Sequence, residues 1–347
     1  MKHTKGWHFE TGACLGLLLI VGLFAIVAQG QTSAYVTNPP FDTVQVIDVA
    51  TNKVAASVGV GRAPFGVAIT PDGTRAYVTN QFSATVSVIN TKKNKVIATI
   101  GIGDYPSGVA ITPNGRRAYV ANGISNSVSV INTDDNTVVD TVPVGTGPLG
   151  VAISRDGRRV YVTDEYANAV SVIDTASNTV VATVGVGDLP FLLAITPDGR
   201  RAYVPNFAKE SHSVSVIDTA DNTVIATVEV GANPLAVAIA GNGERAYVTN
   251  GGDNSVSVID TDINSVIANI KVGEFPTDVA ITANGRRAYV TNSYLTNPMN
   301  QGSISVIDPR RNRVVATINV GGSPVGIAIT PPRRPLHDSE QWEEGGW

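Results

Sequence analysis

The tetrapeptide Tyr-Val-Thr-Asn, or a close variant, begins at Tyr35, Tyr77, Tyr119, Tyr161, Tyr203, Tyr247 and Tyr289, so the chain repeats every 42 residues with one interval of 44. No other feature of the 347 residues narrows the possible folds so far. A repeat of this length is one supersecondary unit that cannot bury its own apolar residues and must stack on its neighbours. Each copy continues with a Val-Ser-Val-Ile-Asp run, as at Val256 to Asp260, then a Val-Val-Ala-Thr-Val run, as at Val180 to Val184. It closes with Pro-x-Gly-Val-Ala-Ile-Thr-Pro-Asp-Gly, as at Pro64 to Gly73. These are four short β-branched stretches separated by turn residues, and none carries a helical period. Four strands in about 42 residues is the size of a propeller blade. Coils of a parallel β-helix are shorter, and a sandwich does not repeat its sequence so closely.

The strands order themselves from the axis outward. Gly-Val-Ala-Ile-Thr, with small residues where the wedge narrows, is innermost, and the Val-Val-Ala-Thr-Val strand is outermost. Lys53, Lys95, Asp140, Pro143 and Arg313 fall on the outer edge, where charge and proline oppose edge-to-edge pairing. Copy one lacks an innermost strand, and the last copy ends with a spare one at Val325 to Thr330. The expected fold is therefore all-β, a seven-bladed β-propeller over 34–330 with four antiparallel strands per blade. One composite blade of N- and C-terminal strands closes it. Pro205 removes a ladder donor inside a strand, and a local bulge is expected there.

The two ends differ from the repeat. Lys2 and Lys5 precede an apolar run from Leu15 to Ala28, and Ala28-Gln29-Gly30 supplies small residues at the −3 and −1 positions of a cleavage site. Fourteen apolar residues fall short of the roughly 20 that span a membrane. Residues 1–30 read as a signal peptide, with an uncleaved anchor as the alternative, and the expected location is secreted, periplasmic or cell surface. Cys14 is the only cysteine, so the mature chain has no disulfide. Residues 331–347 have no repeat character and read as a disordered tail. The net charge of −4 gives no general attraction to nucleic acid.

The Tyr-Val-Thr-Asn tetrapeptide, the Val-Ile-Asp-Thr run and the Pro-Asp-Gly-Arg-Arg-Ala turn resemble the YVTN-family β-propeller repeat proteins over residues 34–330. The resemblance implies the propeller and an envelope or surface-layer setting. It implies little about chemistry, because more distant propellers of this style bind haem d1, form amine dehydrogenase subunits or hydrolyse sugar lactones. No catalytic motif of theirs is matched here.

Comparison of the seven copies separates two faces. The first-to-second turns, such as Pro71-Asp72-Gly73 and Pro197-Asp198-Gly199, and the third-to-fourth turns, such as Asp174 to Asn178, hardly vary and share one end. That end carries Arg75, Arg117, Arg159, Arg201 and Arg245 beside Asp174, Asp218 and Asp260, and cross-strand Arg–Asp pairing within each blade is the expectation. The opposite end varies. Its loops into the innermost strands carry Arg62, Phe65, Asp104, Tyr105, Asp188, Phe191, Asn233, Glu274, Phe275 and Asp278, the candidate binding residues at the channel mouth. The second-to-third loops add Phe82, Glu165, Tyr166 and Lys209 to His212.

Asp104, Asp188, Glu274 and Asp278 are candidates to converge, where they could bind Ca²⁺ or serve as an acid–base pair. No catalytic residue, resident metal or cofactor is expected. The four histidines are His3, His8, His212 and His337, and only His212 lies in the repeat domain. The expected role is that of a monomeric binding or scaffold protein for an envelope protein or glycan, or a small molecule at the mouth. An enzyme using the acidic mouth is the alternative, and nucleic acid is not an expected partner.

Overall fold

The computed structural model describes residues 32–208, 212–293 and 301–332. The signal-peptide segment and most of the C-terminal tail lie outside the described residues. Seven four-stranded antiparallel sheets form, each one blade. Blade 2 shows the pattern: Pro64–Ile69 innermost, then Arg75–Asn80, Thr85–Asn90 and Lys95–Gly101. Blade 1 is composite, as expected. Ile327–Ile329 pairs with Ser33–Asn38, through Val36 opposite Ile327 and Ala34 opposite Ile329.

A single blade encloses no core. Each apolar cluster lies between two blades: Val128, Val130 and Val142 of blade 3 meet Val160, Val162 and Ile173 of blade 4. The ring closes through the same kind of cluster, Ala34, Val36 and Ile47 of blade 1 against Tyr289, Ile304 and Val306 of blade 7. Near the axis the backbones touch. A Cβ on Gly66 would sit 2.5 Å from the Ser107 carbonyl oxygen of the next blade, so only glycine allows that approach.

The repeated tyrosine links blades. Tyr35 donates its hydroxyl to Asn94 Oδ1 at 2.6 Å, Tyr77 to Asn136 at 2.7 Å, Tyr119 to Asn178 at 3.1 Å and Tyr203 to Asn264 at 2.7 Å, each on the following blade. Tyr289 donates to Asn52 at 2.8 Å and so joins blade 7 to blade 1. The acceptors occupy left-handed backbone in the third-to-fourth turns, with φ of 54° at Asn52 and 57° at Asn136. Asparagine tolerates that region better than other residues with a side chain, and it also supplies the acceptor. The sixth pair differs: Asn312 Oδ1 is buried without a partner.

Two expectations are corrected. Arg159 does pair with Asp174 across its own blade. Arg75, Arg117, Arg201 and Arg245 instead donate to Thr133, Thr175, Thr261 and Pro309 carbonyls on the next blade. The aspartates are occupied locally, since Asp218 Oδ1 and Asp260 Oδ1 accept backbone N–H groups of their own turns. Pro205 causes no bulge, because the second strand keeps its register with Pro205 opposite Val214. At the equivalent position Thr37 donates its N–H to the innermost strand at Gly326. Proline has no N–H to give, so the innermost strand of blade 5 shrinks to Ala194–Ile195, and Leu192 N–H bonds Leu235 O of blade 6 instead.

Two outcomes are expected. A chain ending before residue 325 loses the innermost strand of blade 1, exposes two strand edges, and melts far earlier or aggregates. A chain ending at residue 332 keeps its melting point; identical melting of both truncations would refute the closure. Replacing Asn136 with Ala removes an acceptor and places a residue that tolerates left-handed backbone less well than Asn, a cost of about 2 kcal/mol by chemical denaturation. Asn136→Gly, which relieves only the backbone, is expected to recover about half of that loss.

Candidate functional site

The loops that enter the innermost strands and the second-to-third loops are tied together at one end of the ring. Phe82 N–H bonds Arg62 O, Gly123 N–H bonds Tyr105 O, Gly251 N–H bonds Asn233 O and Ser293 N–H bonds Phe275 O. This is the variable face. Tyr105, Asn233 and Phe275 take positive φ of 57°, 52° and 44°. For the two aromatic residues this conformation costs about 1–2 kcal/mol each, held in place by the framework around it.

The channel mouth is apolar where it was expected to be acidic. Phe65 of blade 2 and Phe191 of blade 5 meet edge-to-face across the axis, ring centroids 6.5 Å apart, and Phe207 stacks obliquely on Phe191 at 5.6 Å. The four acidic candidates do not converge. Asp104, Asp188 and Glu274 are exposed on separate blades, and Asp188 Oδ1 accepts Asn168 Nδ2. No group of three or more His, Cys, Asp or Glu side chains is positioned for a metal ion among the described residues.

Asp278 belongs to the channel wall. It occupies the position that is Gly66 in blade 2 and Gly326 in blade 1, and its Oδ2 accepts Ile327 N–H of the adjoining innermost strand at 2.9 Å. Only part of its surface meets the lumen, and the surrounding protein strips water from the carboxyl, pushing its pKa up to about 7.

The two faces differ in charge. The described charged residues on the loop face are Asp42, Asp104, Glu165, Asp188, Glu229, Asp253 and Glu274, against Arg62 and Lys271. The arginines gather at the turn face, and the three ion pairs among the described residues, Arg158–Asp156, Arg159–Asp174 and Arg311–Asp308, all lie there.

A strip of exposed aromatics runs over blades 2 to 4, largely on loops that the sequence comparison marked as variable without selecting them. Phe82 lies 6.1 Å from Tyr105, tilted by 47°. Tyr166 rests on Gly147, where a Cβ would come within 2.5 Å of its ring, and the side chain is otherwise 68% exposed. Glu165 is half-buried beside them, and burial lifts its carboxyl above the usual range. The Tyr105 hydroxyl is also raised, by burial first and then by the nearby Tyr166 and Glu165. The signal available in sequence was a large apolar residue at the same loop position in consecutive blades, Phe82, Ile124 and Tyr166.

The family profile for YNCE-like β-propellers matches residues 109–199, within a ring of seven Tyr-Val-Thr-Asn blades. The chain is a seven-bladed β-propeller of Tyr-Val-Thr-Asn repeats. No curated protein matches it. Among solved structures it is similar to Kuenenia stuttgartiensis hydrazine synthase, at 26% identity and a TM-score of 0.72, covering 79% of this chain and 91% of that one. A functionally unknown protein from Desulfotomaculum acetoxidans DSM 771 shares 19% identity with a TM-score of 0.76, over 86% and 99% of the two chains. The dihydro-heme d1 dehydrogenase NirN, solved in complex with DHE, shares 16% with a TM-score of 0.64, over 85% and 74%. The last two likenesses show the fold alone.

Blade 4 breaks the Tyr-Val-Thr-Asn tetrapeptide beneath the strip. In blades 2, 3, 5, 6 and 7 the final asparagine donates to two hydroxyls, as Asn80 Nδ2 does to Thr85 and Ser87. Blade 4 has Asp164, and Ala169 stands where Thr85 would be, so one hydroxyl is gone along with the donor. Ser171 Oγ now donates to Asp164 Oδ2 at 2.6 Å. The carboxyl is fully buried, and burial pushes its pKa up to about 6 against these hydrogen bonds.

An aspartate whose pKa is higher in the folded state binds more protons folded than unfolded. Its contribution is therefore favourable below about pH 4 and is lost as pH rises toward 6. Asp164→Asn with Ala169→Ser, which restores the repeat, is expected to stabilise the fold by about 1–3 kcal/mol at pH 7 and by little at pH 4. Urea denaturation at both pH values checks this. A gain equal at both would show that the carboxylate carries no penalty.

Proposed function

We propose that this chain is an exported binding protein that presents its loop face to a positively charged partner, either an envelope protein or a cationic ligand at that face. One observation carries the reading: differences between blades collect on a single face, and that face bears carboxylates without ion pairs among the described residues. Recognition of an asymmetric partner requires blades that differ, which identical turns cannot provide. A face of one sign steers an oppositely charged partner and fixes its orientation. The Phe65–Phe191 contact supports recognition on the rim over recognition deep in the lumen. The charged-then-apolar N-terminal segment supports export.

Replacing Asp104, Asp188 and Glu274 by Asn, Asn and Gln is expected to weaken capture of the envelope partner at least about tenfold and to flatten its salt dependence, with melting unchanged. Arg117→Ala with Arg201→Ala is expected to lower the melting temperature and leave capture intact. Capture lost only in the arginine variant would place the site on the turn face.

A further inference from the structure

We propose that the strip of Phe82, Tyr105, Tyr166 and Glu165 across blades 2 to 4 is a binding site for an alkylammonium group. The proposal rests on the binding reading above and names the chemistry of one subsite.

Four features of the strip point to a cation. Its rings are held by the backbone and leave surface open: Tyr166 is backed by Gly147, and Tyr105 is 37% exposed and backed by Gly123. Aromatic faces attract cations through their quadrupole, and alkylated ammonium groups favour such sites because they shed water easily. Glu165 is half-buried, and no hydrogen bond or ion pair to its carboxylate is found among the described residues. A carboxylate that has lost part of its hydration without gaining a partner is stabilised by a bound positive charge. Arg62 is the cation on the adjoining loop and forms no ion pair with it.

A sugar also stacks on aromatic faces, but a neutral sugar does not offset the charge of the half-buried Glu165 carboxylate, as an ammonium group does. The negative charge of the surrounding face draws the same class of ligand.

Calorimetric titration of the full chain with choline tests the site, with 3,3-dimethylbutan-1-ol as its uncharged isostere and maltohexaose as the sugar. Choline is expected to bind. Glu165→Gln and Tyr166→Ala are each expected to weaken it about tenfold, with unchanged melting, while Arg116→Ala on the turn face leaves it intact. A peptide bearing trimethyllysine separates the sources: tighter binding than choline assigns the ammonium to a polypeptide, and weaker binding to a small molecule. Equal binding of the isostere, binding of maltohexaose alone, no binding of any probe, or indifference to both variants would each overturn the proposal. If choline fails while envelope capture still depends on Asp104, Asp188 and Glu274, the loop face stands as the binding face and only this subsite is lost.

Discussion

Six of the seven blades grip the next through a tyrosine hydroxyl and an asparagine held in left-handed backbone. Tyr77 reaches Asn136, Tyr203 reaches Asn264, and Tyr289 reaches Asn52 to close the circle. Beneath each link lies an apolar cluster shared by the same two blades. A blade alone has two apolar faces and nothing to cover them, so its stability comes from its neighbours. The linear chain becomes a ring because its first and last strands pair in one sheet.

This arrangement divides the labour between the two ends. The turn end carries the links: the asparagine acceptors, the aspartates that cap their own turns, and arginines reaching carbonyls of the following blade. Its sequence is uniform because the repeated asparagines, aspartates and the arginines that open the second strands have structural partners. The loop end carries none of the tyrosine–asparagine links and so tolerates variety. The positive φ of Tyr105 and Phe275 recurs at Ala63, Gly147, Leu189 and Asn233 and so belongs to the framework; what the loop end adds is side-chain variety and carboxylates without ion pairs among the described residues.

The channel is best understood from two departures from the repeat. Phe65 and Phe191 project into a space that smaller residues would leave open, and they touch across it. Asp278 replaces a glycine in the wall and reaches the next innermost strand, at the expense of its own hydration. The first puts an aromatic contact across the axis at the mouth, and the second spans two blades with a carboxyl.

Sequence alone determined the number of blades, the order of strands, the composite closure and the separation of a constant face from a variable one. These follow from periodicity and turn chemistry, which are local and repeated seven times. It also marked Phe65, Phe191 and Asp278 as residues of the mouth region. Tertiary structure decided what those residues do. Two phenylalanines 126 positions apart become neighbours only when blades 2 and 5 face each other across the axis. Expected acidic convergence failed because Asp104, Asp188 and Glu274 are exposed on blades 3, 5 and 7, which do not adjoin one another. Arginines opposite aspartates in register turned to the next blade, because the aspartates were already engaged by backbone N–H groups. The Phe82, Tyr105 and Tyr166 strip was legible only as large residues on variable loops of three successive repeats; the approach of Phe82 to Tyr105 came from the packing of blade 2 against blade 3. A repeat fixes what each blade must be by itself, whereas contacts between unlike positions of different blades depend on the geometry of closure.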